Sequence, residues 1–175
     1  MPIIQSMPTV QHRPLLFMGI DPGASGGVAV IDGSSADAHA MPASEFGVWE
    51  LVQSLKLRAS AYTEPAGIVA CIEQVTGYVG GEGNTGSSMF KFGASYGALR
   101  MALTAAGISY ETVPPHQWQR ALGIEKRRAG EDTTRWKNRL KQAAVELFPS
   151  IKVTKKTADA LLMAEYCRRK YGGVR

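Results

Sequence analysis

The chain has 175 residues, 45% of them apolar, and a formal net charge of +5, a length and balance that suit one globular domain. No apolar run approaches the roughly 20 residues of a membrane span, which argues against a transmembrane helix. The charge is unevenly spread: residues 1–114 hold 5 of the 20 Lys and Arg but 9 of the 15 Asp and Glu, and residues 115–175 hold the rest. A basic second half fits a polyanionic partner, although a solvated basic surface gives the same count.

Residues 1–13 are short and mixed and lack the apolar stretch of a signal peptide, so they read as a disordered tail. A single domain is expected over 14–171, with a short tail at 172–175. Residues 15–21 and 26–32 read as apolar strands joined by the tight turn Pro22-Gly23-Ala24-Ser25. Residues 36–41 are a weaker third strand, which makes an antiparallel meander. Ser44 suits the cap of a helix in which Phe46, Trp49, Val52 and Leu55 recur at helical spacing. GIVACI, 67–72, is a compact strand that ends at Glu73, and a Gly-, Ser- and Thr-rich loop follows over 76–88. A small-residue helix is expected at 89–106, a strand at 108–113 and a short helix after Pro114-Pro115. The basic loop 123–132 leads to a helix ending near Phe148, capped by Asp132 or Thr133. A last helix runs from about Thr157 to Lys170. Strands and helices in this order predict an α/β fold with a mixed central sheet flanked by helices. Cys71 and Cys167 lie in apolar patterns without metal-ligand spacing and read as buried free thiols of a reducing compartment.

Three carboxylates stand out by position. Asp21 and Glu73 end apolar strands, where ligand sites of such sheets collect, and Asp159 opens the last helix. A carboxylate at the end of a buried strand is costly unless its desolvation is offset, and coordination of Mg²⁺ offsets it well. Each has an ordinary alternative. Asp21 suits a turn bond to the backbone, Glu73 a lysine at a sheet edge, and Asp159 the positive end of a helix dipole.

Taken together, IDPG after the first strand, IEQV after a later one and TADALLMA opening the last helix resemble the RuvC-type Holliday-junction resolvases. FKFGASYGALRMALTAAGISYETVPPHQWQRALGI is similar to the phage and chloroplast branches of that family, and the resemblance spans roughly residues 15–170. It implies an RNase H-like fold, a homodimer, and symmetric cleavage of four-way DNA junctions that leaves 5′-phosphate and 3′-hydroxyl nicks. It also implies Mg²⁺ or Mn²⁺, two ions per site held about 4 Å apart, with Asp21 bridging and Glu73 and Asp159 each completing one shell. No small-molecule cofactor and no membrane association are implied, and the location expected is the cytoplasm of a bacterial or phage-infected cell.

One position departs from the family pattern. Where a fourth acid or a His usually stands, three residues before Asp159, this chain has Lys156. Three carboxylates suffice, or Lys156 neutralises the scissile phosphate, or the chain binds junctions and cuts poorly. The DNA contacts expected are Tyr78 in the Gly-rich loop, Lys91 beyond it, Arg120, the cluster Lys126, Arg127 and Arg128, and Lys152 and Lys155 beside the site. For Tyr78 and Lys91 an incidental surface residue is the competing reading. Trp118 reads as core.

Three rivals accompany this reading. A phosphotransferase of the sugar-kinase and actin type needs a duplicated domain that the chain is too short to supply. A non-catalytic junction binder and an RNase H-like nuclease for other branched or hybrid substrates stay open.

Overall fold

The computed structural model describes residues 15–62, 66–75 and 86–173. The strands are β1 (Leu15–Asp21), β2 (Gly27–Asp32), β3 (Ser35–Ala40), β4 (Gly67–Glu73) and β5 (Ser109–Val113). The helices are α1 (Glu45–Ser60), α2 (Gly86–Ala105), α3 (Pro115–Ala121), α4 (Thr133–Leu147) and α5 (Ala158–Tyr171). The sheet order is β3-β2-β1-β4-β5. β1, β2 and β3 form the expected antiparallel meander, and β4 and β5 add to β1 in parallel.

β1 is central and buried on both faces, which explains its unbroken apolar run. Leu16, Met18 and Ile20 face a core with Val48, Val52 and Leu55 of α1 and Leu99 and Leu103 of α2. Phe17 faces a second core with Trp118 of α3, Leu140 of α4 and Leu161, Leu162 and Cys167 of α5. α5 lies across β1 so closely that a Cβ on Gly19 would sit 2.0 Å from the Ala164 nitrogen. Any side chain at position 19 would lift the helix off the strand.

Two sequence expectations change. α2 begins at Gly86, so residues 86–88 are helical, and 76–85 lie outside the described residues. In α1 the inward face is Val48, Val52, Leu55 and Ala59, whereas Phe46 and Trp49 are exposed. A repeat of three residues drifts around a helix of 3.6 residues per turn, so Phe46 and Trp49 leave the stripe that Val52 and Leu55 occupy. Ser44 caps α1 by accepting from the Gly47 amide at 3.1 Å, and Asp132 caps α4 by accepting from the Arg135 amide at 2.9 Å. Both cysteines are buried and free. No helix among the described residues is long and apolar enough to cross a membrane.

Candidate active site

The site is built by strand alternation and register. On β1, Asp21 falls on the same face as Phe17 and Gly19, the face that α5 covers. On β4, Glu73 falls with Val69 and Cys71 on that face, while Ala70 and Ile72 turn to the other core. The parallel ladder pairs Ile20 with Ile72, so Asp21 and Glu73 follow side by side one step beyond. α5 starts at Ala158 over the ends of these strands, and Asp159 in its first turn completes the group.

Asp21 and Glu73 both respond to the charge of Asp159. Burial, followed by the charges of Asp159 and Glu73, pushes Asp21 up to about 7, and only Lys137 opposes this. Burial and the Asp159 charge also raise Glu73, against the pull of a Trp118 hydrogen bond and the Lys137 charge. The indole Nε1–H of Trp118 donates to Glu73 Oε2 at 3.0 Å. Trp118 is therefore core, as expected, and its one polar atom is spent on the site.

Lys137 of α4 brings its ammonium into the acids. Its Nζ donates to Asp159 Oδ2 at 2.5 Å. Burial would lower the Lys137 pKa, but the Asp159 charge and hydrogen bond, with Asp21 and Glu73 behind them, hold it above the usual lysine value. Sequence reasoning missed this residue. Arg135, Lys137, Arg139 and Lys141 alternate along one helix, and only the docking of α4 on α5 selects which of them turns inward. The remaining oxygen, Asp159 Oδ1, is buried and has no hydrogen-bond partner among the described residues.

These residues fit a divalent cation by chemistry. All three donors are hard carboxylate oxygens, the kind Mg²⁺ and Mn²⁺ take, and their mutual repulsion in a buried setting is what such an ion relieves. Asp159 Oδ1, buried and unpartnered among the described residues, is a donor position for such an ion. The set is open rather than closed: among the described residues no group of three or more His, Cys, Asp or Glu forms a ready metal shell. The acids are instead arranged around an ammonium.

The other expected residues are dispersed. Lys156 is exposed in the turn before α5 and makes no ion pair with the carboxylates; Lys152 and Lys155 are exposed in the same segment. Lys91 is exposed near the start of α2, and Arg120 at the end of α3. In the basic loop, Arg127 donates to the Glu131 carbonyl at 2.8 Å and Arg128 pairs with Glu125 at 3.2 Å, so these two are partly engaged within the chain. Lys126 is exposed beside them. Glu165 points away from the site and is held by Arg168 and Arg169. Tyr78 lies outside the described residues.

A mixed five-stranded sheet flanked by helices is the RNase H-like architecture, and the fold is RuvC-like. The chain is similar to Thermus thermophilus RuvC in complex with a Holliday-junction substrate, with a TM-score of 0.60 at 17% identity over 91% of this chain and 97% of that one. It is similar also to a second Thermus thermophilus RuvC structure, with a TM-score of 0.52 at 15% identity over 90% and 96% of the two chains. No protein-family model matches the chain, and no curated protein matches it in sequence.

Proposed function

We infer that the chain is a structure-specific endonuclease that resolves four-way DNA junctions with Mg²⁺ or Mn²⁺. The observation that carries the reading is the convergence of Asp21, Glu73 and Asp159 at the end of the central strands. The RuvC-like fold and the basic second half of the chain support it.

Asp21, Glu73 and Asp159 are the residues that would hold the metal ions. Two bound ions would supply a water of lowered pKa and charge neutralisation at the attacking and leaving oxygens. The chain's own contribution is positioning. Parallel register sets Asp21 against Glu73, and the Trp118 N–H fixes one Glu73 oxygen. Lys152, Lys155 and Lys156 stand exposed in the segment leading to Asp159 and supply phosphate contacts next to the acids. Lys91, Arg120 and Lys126, all exposed, would add contacts to duplex arms, and Tyr78 would be the base-stacking residue. A homodimer would present two such sites to a pseudo-two-fold junction and nick both strands symmetrically, leaving 5′-phosphate and 3′-hydroxyl ends.

The test is a labelled four-way junction incubated with wild type and Asp21→Asn, with and without Mg²⁺. Wild type is expected to give paired symmetric nicks with Mg²⁺ only, and Asp21→Asn to bind the junction while nicking at least about a hundredfold more slowly. Metal-independent binding with no nicking by wild type would leave a junction-binding module. Faster cleavage of a flap or an RNA–DNA hybrid would move the substrate within the same fold.

A further inference from the structure

Lys137 is the feature of the site that three metal-binding acids do not require. Its ammonium takes Asp159 Oδ2, on a side chain that is 4% exposed, and its charge is felt by Asp21 and Glu73 as well. The Lys137 side chain is 39% exposed, so one side of it opens to solvent. Its long stem can carry the ammonium outward without uncovering the core. A divalent ion held by Asp159 would lie within a few ångströms of that ammonium, and like charges at that distance repel strongly in a partly desolvated site. The lysine and the ion therefore compete for one position.

We propose that Lys137 is a displaceable occupant of the cation position beside Asp159, excluding a divalent ion from it until a DNA phosphate offers the ammonium another partner. This rests on the metal-dependent reading above. In the free protein Lys137 partly neutralises the acids and keeps the position beside Asp159 closed. When DNA binds, a phosphate draws the ammonium off Oδ2, and both Asp159 oxygens become available. Metal and DNA binding are then positively coupled, and by linkage each tightens the other by the same factor. A nuclease built this way is not fully loaded away from its substrate.

The test is Mn²⁺ binding to the full-length, metal-stripped protein, read from the electron paramagnetic resonance signal of free Mn²⁺, with no cleavage measured. Lys137→Met is expected to bind Mn²⁺ about tenfold or more tightly than wild type, and Lys137→Arg to stay within about twofold of it. A Ca²⁺-free, nick-resistant phosphorothioate junction should tighten Mn²⁺ binding to wild type and add little to Lys137→Met. A merely structural lysine predicts the reverse, weaker Mn²⁺ binding in Lys137→Met; Lys137→Gln gives the same comparison if Lys137→Met does not fold. Equal affinity in wild type and Lys137→Met, with Asp21→Asn weakened, overturns the exclusion and leaves the metal site standing. No Mn²⁺ binding by any form overturns both.

Discussion

Asp21 is an acid held by burial and by two neighbouring acids at about 7, well above an ordinary carboxylate. A raised carboxyl pKa means that the folded protein binds a proton that the unfolded chain releases, between about pH 4 and pH 7. Stability of the metal-free protein is therefore expected to fall as pH rises through that window, by on the order of 3 kcal/mol from this one group. Urea unfolding at pH 5 and pH 8 in chelator checks it. Asp21→Asn should flatten the difference, and Mg²⁺ should restore stability at pH 8 in wild type alone. Asp21, Glu73 and Asp159 were legible in the sequence because each is a lone charge at the end of an apolar element. Lys137 was not, since nothing in the pattern RWKNRLK marks one basic residue as the one that turns inward. The Trp118 N–H was invisible for a similar reason: its burial follows from apolar patterning, but its partner depends on how α3 meets the end of β4.

At the scale of elements, the site depends on how close α5 lies to β1. Gly19 makes that possible, and a Cβ there would also fall 2.2 Å from the Ala160 carbonyl oxygen. The obstruction is helix backbone, so no side-chain rotation relieves it. Gly19→Ala is expected to destabilise by about 3 kcal/mol or more, the upper end for overpacking, in chemical denaturation. It should also weaken metal binding, because Asp159 rides on the displaced helix. The meander, the two later strands and the helices were readable from periodicity and caps. The face of α1 was misjudged because Phe46 and Trp49 are large and apolar, and size suggested core where the helical period did not. These two rings instead stack on each other at the surface, 5.8 Å apart.

At the scale of the molecule, the basic second half divides into spent and available charge. Arg139 is locked to Glu131, and Arg168 and Arg169 to Glu165. Lys152, Lys155 and Lys156 are exposed and form no ion pair among the described residues. Replacing all three by Gln should make the dependence of junction affinity on salt shallower by about 0.9 per lost phosphate contact, or ~2–3 in all. Arg139→Gln should leave that slope unchanged while costing stability. Titrating junction binding from low to moderate salt distinguishes the two. Net charge points to a polyanion partner in kind only; which cations face outward was settled by ion pairs between residues distant in sequence.

The register that sets Asp21 beside Glu73 also determines when the site comes apart. β1 and β4 are hydrogen-bonded on both sides and buried between two helical layers, so their amides should exchange hydrogen only when the whole domain opens. α4 packs chiefly on α5 at the edge of the molecule and has its own polar outer face. Its amides are expected to exchange sooner than those of the sheet. The acids are thus expected in the slowest-opening unit of the protein and their lysine in a faster one. The site is a fixed anionic floor under a cation that is free to come and go.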